Sequence, residues 1–160
     1  MSILNRWLEY LDGNGIRYSH SVHGRAQTAL ETARAERIPP HDLAKPVVYV
    51  GDIGFGIAVV AADELVDLPE VGRLLGISNI RLANEGELAA IFPDCELGAM
   101  PPFGQPYEMP LLLDAGIAAK EFIAFAIGTH RDVVRMSVAD YKRLAKPLIG
   151  SITVHQTILV

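Results

Sequence analysis

The chain has 160 residues, of which half are hydrophobic and 21% are charged, and its formal net charge at pH 7 is −5. This length and composition predict a single globular domain over residues 1–160 and exclude a disordered chain. The acidic balance argues against a DNA-binding protein, because tight non-specific contact with a phosphate backbone needs a basic face.

The first half of the chain alternates helices with short strands. Thr28 and Glu31 have the spacing of a capping box, which predicts the start of a helix. The glycine-containing segment Gly51–Phe55 lies between two β-rich runs and predicts a hairpin. In chain order, we predict a helix over Ile3–Leu11, a strand over Ile16–Ser21, a helix from Thr28 to the residue before Pro39, strands over Lys45–Val50 and Gly56–Ala62, a helix over Asp67–Leu75, a strand over Ile80–Ala83 and a helix over Glu85–Ile91.

The second half opens with a long irregular loop, from Pro93 to Pro110, which contains five prolines and two glycines. Loops of this length inside a domain are usually functional or disordered. Because strands and helices interleave irregularly, the chain favours an α/β fold with a mixed sheet surrounded by helices. The remaining predicted elements are strands over Met109–Leu113, Phe122–Ile127 and Asp132–Ser137, a last helix from Ser137 to about Lys146, and a tail, Leu148–Val160, that is either an edge strand or a loose end.

The apolar pattern and the cysteine content exclude two further classes of protein. No apolar run is long enough to span a bilayer, and acidic residues interrupt the N-terminal segment where a signal peptide would be apolar. Cys95 is the single cysteine, which excludes an internal disulfide framework and a Cys-rich zinc site. We therefore expect a cytoplasmic protein with no membrane partner.

The sequence lacks the short motifs that mark nucleotide-cofactor, NTP, serine-hydrolase and zinc-protease sites. His20 and His23 fall in a strand-to-loop region with no obvious third ligand, so we interpret them as surface or hydrogen-bonded histidines rather than metal ligands. Asp94 and Glu96 flank Cys95 and would raise the pKa of its thiol. We therefore interpret Cys95 as an ordinary cysteine and not as a nucleophile.

Four features at the ends of predicted strands could carry chemistry. They are Lys45 at the start of an apolar strand, the glycine–proline loop Gly98–Gly104, Asp114 directly after a strand, and the turn Gly128–His130 after another. Taken singly, each has a simple structural interpretation as a surface cation, a chain reversal, a cap or a hairpin turn. Only their combination indicates a site.

The order and spacing of these features resemble the YbaK/ProX family of aminoacyl-tRNA deacylases, which includes editing domains of prolyl-tRNA synthetases and their free-standing relatives. The resemblance runs from about Ile16 to Lys146 and includes the opening Tyr18…His23…Thr28-Ala29. It implies a mixed, partly barrel-like sheet surrounded by helices. It also implies hydrolysis, without metal or cofactor, of the ester that joins a small amino acid to the 3′ end of a mischarged tRNA.

The resemblance also implies roles for individual residues. The catalytic set would be Lys45, Gly98 and His130: the lysine as a cation at the terminal phosphate or ester oxygen, the glycine as a carbonyl- and water-positioning group, and the histidine as a group that holds the α-amino group or orients the water. Asp114 would bind the α-ammonium group or brace the loop. The expected substrate-binding residues are Pro101, Pro102, Gly104, Asp114 and Gly128.

Two other functions stay open at this point. The chain could bind an aminoacyl-tRNA end or a nucleotide-like ligand without cutting it, or it could hydrolyse a small ester that contains no RNA. Because the chain is acidic, an editing enzyme of this kind could reach its tRNA by docking on an aminoacyl-tRNA synthetase or an elongation factor. The sequence does not distinguish alanine, serine, threonine and cysteine as the amino acid removed.

Overall fold

The computed structural model describes residues 2–154. Short 3-10 turns at Pro40–Asp42 and Gln105–Tyr107 join the regular elements. The helices are α1 (Ile3–Gly13), α2 (Ala29–Glu36), α3 (Leu68–Leu75), α4 (Glu85–Ile91), α5 (Ala115–Ala118) and α6 (Val138–Ala145). The strands are β1 (Tyr18–Val22), β2 (Ala44–Gly51), β3 (Gly54–Ala61), β4 (Arg81–Leu82), β5 (Leu111–Asp114), β6 (Phe122–Ala126), β7 (Asp132–Ser137) and β8 (Leu148–Gly150).

The strands form two sheets. One has three antiparallel strands in the order β1-β7-β6, and the other has five strands in the order β4-β2-β3-β5-β8. The larger sheet is mixed, because β5 runs parallel to both β3 and β8 whereas β2 is antiparallel to β3 and β4. A single parallel bridge between Leu43 and Ala124 connects the two sheets in the described residues. The α/β class is confirmed, but the described strands do not close into a barrel.

The main hydrophobic core extends from α1 to α6 and contains buried residues of both sheets. An aromatic cluster forms its centre: the Phe103 ring stacks on Trp7 at 5.6 Å between centroids and meets Phe125 and Tyr141 edge-on or tilted. Burying such large side chains is the main favourable contribution to folding. The irregular loop before β5 is therefore fixed at Phe103 by the core.

Local signals place most elements where the sequence predicts them. The side chain of Thr28 accepts a hydrogen bond from the Glu31 N–H, and Asn84 and Glu87 form a reciprocal capping box at the start of α4. The short helix α5 is not predicted, because four residues show no period. The tail forms the edge strand β8 over Leu148–Gly150, while the part of that prediction beyond residue 154 lies outside the described residues.

No helix within the described range combines the length and the apolar character needed to cross a membrane.

Candidate functional site

The candidate site is a narrow pocket where the two sheets meet. Leu43 and Ala124 form the bridge between the sheets. Lys45 follows Leu43 by two residues, Ala126 follows Ala124 by two residues, and both line the pocket. Helix α2 covers this junction. The other lining residues are Ala29 and Thr32 of α2, Leu43, Ala44 and Pro46 around the start of β2, and Gly98 of the long loop.

Lys45 provides a half-buried cation in this pocket. Its Nζ donates a hydrogen bond to the backbone oxygen of Ala62 over 3.1 Å, which leaves two further donors for a ligand. Burial lowers the pKa of Lys45, whereas the charges of Asp63 and Glu64 act in the opposite direction and favour the ammonium form. Lys45 can therefore present positive charge to an oxygen that becomes negative.

Gly98 is the residue of the glycine–proline loop that lines the pocket. Its φ of 88° lies in the left-handed region, and a Cβ here would stand 3.0 Å from the backbone oxygen of Gln27 and 3.6 Å from Cε1 of His130. The Gly98 N–H is directed at the sulfur of Met100, 3.3 Å from the nitrogen, and a thioether is a weak acceptor. A stronger acceptor, such as an oxyanion, can therefore replace the sulfur as the partner of this N–H.

Backbone hydrogen bonds connect the loop around Gly98 to the turn after β6. The Glu96 N–H donates to the oxygen of Gly128 over 3.0 Å, and the Gly128 N–H donates to the oxygen of Ala99 over 2.7 Å. These two bonds hold the loop and the turn at a fixed separation. The position of Gly98 relative to His130 follows from them.

His130 is buried next to Gly98, with 8% of its surface exposed. Its backbone N–H donates to the Glu96 carboxylate over 3.3 Å, and its Nε2 lies 3.6 Å from the same oxygen. The longer distance exceeds that of a hydrogen bond, so it leaves the Nε2 position available to another partner. Of the three residues that the resemblance assigns to catalysis, Lys45 and Gly98 line the pocket, whereas His130 lies next to Gly98 and does not line the pocket itself.

The second half of the loop is packed into the core rather than into the pocket. Pro101 and Pro102 are buried, and the Pro102 oxygen accepts a hydrogen bond from the hydroxyl of Tyr141 over 2.6 Å. Gly104 lies where the chain folds back on itself, and a Cβ at this position would collide with the backbone oxygen of Met109. None of these three loop residues lines the pocket.

Asp114 and Gly128 also lie away from the pocket. The Asp114 carboxylate accepts hydrogen bonds from the backbone N–H groups of Gly116 and Ile152, each over 3.0 Å, so it joins β5 to the segment after β8. Gly128 faces α1, because a Cβ there would stand 3.2 Å from the side chain of Ile3. Two roles were left open for Asp114, binding of the α-ammonium group and bracing of the loop. These contacts favour a bracing role over substrate binding.

The pocket is small, although several of the side chains that line it are small. Its volume is about 10 Å³, close to the minimum that one water molecule needs. Ala29, Thr32 and Ala126 define this space together with the lysine and the glycine. Sequence reasoning gives none of the three a place in the site, although Ala29 belongs to the opening that carries the resemblance, because alanine and threonine have no chemical signature and form a wall only where distant strands and α2 meet.

The histidines of the first strand and the following loop contact carboxylates. Nε2 of His20 lies 2.6 Å from an Asp132 oxygen, and Nδ1 of His23 lies 2.5 Å from a Glu36 oxygen.

A separate, largely exposed group near the pocket has side-chain atoms that could bind a metal ion, all within 4.8 Å of one another. It consists of His41, Asp63 and Glu64.

If the chain has the deacylase activity that the resemblance implies, we expect the Cys95→Ser variant to keep it within about twofold of the wild-type rate. Burial raises the pKa of the Cys95 thiol, and the Asp94 charge adds to the rise, so a nucleophilic thiolate is disfavoured. The sulfur lies 3.7 Å from the hydroxyl of Tyr107, outside the pocket. Single-turnover deacylation assays with both proteins test this, and loss of activity in the serine variant would place the thiol in the mechanism.

Comparisons with known proteins concern the family and the fold of this chain. The sequence model described as the aminoacyl-tRNA editing domain matches residues 23–144. The solved structure of hypothetical protein APE2540 matches with a TM-score of 0.85 and 15% identity, over 93% of this chain and 99% of that chain. That of "a putative trans-editing enzyme for prolyl tRNA synthetase" matches with a TM-score of 0.83 and 22% identity, over 97% and 99%. At these identities the structural likeness establishes the fold. The comparison with curated proteins gives no match.

Proposed function

The chain belongs to the aminoacyl-tRNA editing domain family, its function is the deacylation of aminoacyl-tRNA, and we propose that Lys45, Gly98 and His130 form the hydrolytic site. One observation carries this assignment. A half-buried ammonium group lines the same narrow pocket as Gly98, and among the described residues the backbone N–H of Gly98 has a thioether as its acceptor. Positive groups prepared in advance for a developing negative charge are what acyl transfer requires.

The proposed reaction is the attack of a water molecule on the carbonyl carbon of the ester. The carbonyl oxygen becomes negative and accepts a hydrogen bond from the Gly98 N–H, while Lys45 stabilises the ribose oxygen or holds the terminal phosphate. His130 orients the water or holds the α-amino group. The hydroxyl stays with the amino acid, and the proton is transferred to the ribose oxygen as the ester bond breaks.

We propose that the loop prolines, Gly104, Gly128 and Asp114 contribute to substrate binding indirectly, by holding the pocket walls in place. The Tyr141 hydroxyl anchors Pro102, and Asp114 braces the end of β5. Proline also removes backbone freedom that binding would otherwise have to restrict. The shared core from α1 to α6 supports the view that residues 1–160 act as one editing domain.

The pocket as it stands has room for about one water molecule, and it supports a small amino acid as the group removed because its walls would have to move apart least for such a side chain. A synthetase discriminates poorly between amino acids that differ by one methylene, which is worth about 1–3 kcal/mol, so a second hydrolytic site that admits only small products improves accuracy. We propose that no metal takes part, because Lys45 supplies the positive charge. Dialysis against EDTA should leave the rate unchanged.

The test is a panel of tRNAs mischarged with alanine, serine, threonine or cysteine, incubated with the purified protein and assayed for amino-acid release. We expect release of the smaller amino acids at rates well above spontaneous hydrolysis. Binding of the charged tRNAs without release would instead support a non-catalytic binding module. Equal hydrolysis of a small ester without RNA, unaffected by added tRNA, would support a general esterase.

We expect His130→Ala to lower the rate or to change the preference among these amino acids. The imidazole lies against Gly98, so its loss removes a polar group and leaves space behind the loop. His130→Asn retains a polar side chain and should preserve more of the activity. The panel assay measures both variants, and a profile identical to the wild type would make His130 a structural residue only.

The proposed partner is the aminoacylated 3′ end of tRNA, and the proposed location is the cytoplasm, where tRNA is charged. The net charge of −5 supports a route through a second protein, an aminoacyl-tRNA synthetase or an elongation factor that already holds the tRNA. A low-salt pull-down from a lysate, followed by identification of captured tRNA-binding proteins, tests for this partner.

A further inference from the structure

We propose that the exposed end of one face of the three-stranded sheet, around Phe122 and Arg135, binds the unpaired nucleotides that precede the aminoacylated residue of the RNA, with these two residues as the stacking pair. The inference rests on the proposed function, because it assigns a path to the same substrate. None of its residues belongs to the hydrolytic site.

The position of this face relative to the hydrolytic pocket is the first argument. Phe122, Ala124 and Ala126 alternate onto one face of β6. Ala126 lines the hydrolytic pocket, whereas Phe122 and Ala124 line a second cavity of about 500 Å³ beyond the Leu43 bridge. Four residues of strand separate the two ends by about 13 Å. A short single-stranded RNA end fixed at the first site would continue over this distance.

The side chains on the face are those that stack on nucleic-acid bases. The guanidinium carbon of Arg135 lies 4.1 Å from the centroid of the Phe122 ring, and the ring remains 40% exposed. Arg135 on β7 is directly opposite Ala124 on β6, so both side chains of the pair project from the same face. Aromatic rings and guanidinium planes both stack on bases without selecting the sequence.

The charge of the cavity is the third argument. The chain as a whole is acidic, with a net charge of −5, yet three of the charged side chains that line this cavity are basic and two are acidic. Lys120 pairs with Asp42 at 2.7 Å. Arg37 ends α2 with a φ of 57°. Neither Arg37 nor Arg135 forms an ion pair among residues 2–154. Two cations beside a stacking surface favour a phosphate backbone over an acidic protein surface or a neutral ligand.

The test compares two substrates that share the reacting ester. One is a mischarged tRNA, and the other is the same amino acid esterified to adenosine alone. We expect Phe122→Ala and Arg135→Ala to raise KM for the tRNA about tenfold, with kcat unchanged, since one stacked base contributes an effect of this size. Hydrolysis of the adenosine ester should not change. Phe122→Leu, which keeps an apolar side chain without a π face, should behave like the alanine variant.

Matched controls are Leu148→Ala, an exposed apolar residue on β8, and Arg143→Ala, an exposed cation on α6. Neither should alter KM for the tRNA. If the controls and the Phe122 and Arg135 variants behave alike, the inference is wrong. Equal loss on both substrates would also overturn it, because this indicates a structural role for the pair.

Binding of uncharged tRNA, followed by fluorescence anisotropy, separates this inference from the proposed function. If the wild type hydrolyses neither substrate but Phe122→Ala and Arg135→Ala weaken tRNA binding, the RNA surface stands and the hydrolytic function fails. If the wild type hydrolyses both substrates and the variants bind tRNA normally, the function stands and the surface fails. Arg135→Ala should also make binding less sensitive to salt.

Discussion

Replacement of Lys45 by alanine should reduce deacylation of a mischarged tRNA by about 10²-fold to 10³-fold, the usual loss when one group that stabilises a developing oxyanion is removed. The ammonium group is half-buried and, among residues 2–154, donates a hydrogen bond to one acceptor, the oxygen of Ala62. Its positive charge acts in an environment drier than bulk water, where electrostatic interactions are stronger. Single-turnover rates of amino-acid release measure the effect.

The Lys45→Ala protein should remain folded, because the variant loses one hydrogen bond, worth about 1 kcal/mol, and the stem of one side chain. Lys142→Ala, on α6 outside the pocket, is the matched control and should keep full activity. Circular dichroism and thermal unfolding check the fold of both variants. A Lys45→Ala protein that turns over normally would remove the lysine from the mechanism.

The pH dependence of the rate provides a second test of the Lys45 charge. Burial lowers the pKa of Lys45, so the ammonium group loses its proton at a lower pH than a lysine in water does. If the cation is the active form, the enzymatic part of the rate falls as the pH rises through this lowered pKa. The rate of Lys45→Ala, measured at each pH, supplies the background of spontaneous hydrolysis to be subtracted.

Replacement of Gly98 by valine should abolish detectable deacylation. A side chain here would take the space between Gln27 and His130 and would force a φ of 88° on a β-branched residue, at a cost of about 1–3 kcal/mol. The loop would then move, and the Gly98 N–H, which is directed at the Met100 sulfur, would lose its present position beside the pocket. Gly98→Ala should be intermediate, because its Cβ needs a shift of only a few tenths of an ångström.

Gly76→Val is the control for backbone strain alone. Gly76 ends α3 with a φ of 69°, and no atom lies within 4 Å of a Cβ built on it. This variant should lose a similar amount of stability but keep its activity. Rates and unfolding midpoints for both variants separate strain from obstruction of the pocket, and a fully active Gly98→Val protein would exclude the loop from the chemistry.

Local chemistry explains which parts of the fold the sequence predicts. The Thr28 and Asn84 caps depend on residues three positions apart, and the β2–β3 hairpin depends on a turn of two residues between Gly51 and Gly54, so short patterns suffice. The separation of the strands into two sheets depends on contacts between distant segments, such as Leu43 with Ala124. No local pattern contains this information, and the sequence predicted one sheet.

The same distinction applies to the site. Lys45, Gly98 and His130, the proposed hydrolytic site, could be selected from the sequence because their order and spacing resemble those of the family. The roles of Pro102 and Asp114 depend on Tyr141 and Ile152, which are 38 or more positions away in the chain, so the sequence alone left them among the substrate-binding residues. Phe122 gave no signal either, because an exposed aromatic residue at the start of a strand is common.

The bridge between Leu43 and Ala124 affects how strictly the pocket selects the amino acid by its size. One wall belongs to one sheet and the opposite wall to the other, so a slight rotation of the two sheets would widen the gap without altering any residue that lines it. The range of amino-acid sizes that the gap admits is therefore set by the stiffness of the whole core. A cavity created at Phe125 or Tyr141, remote from the ester, would loosen the joint and relax the upper size limit for the amino acid.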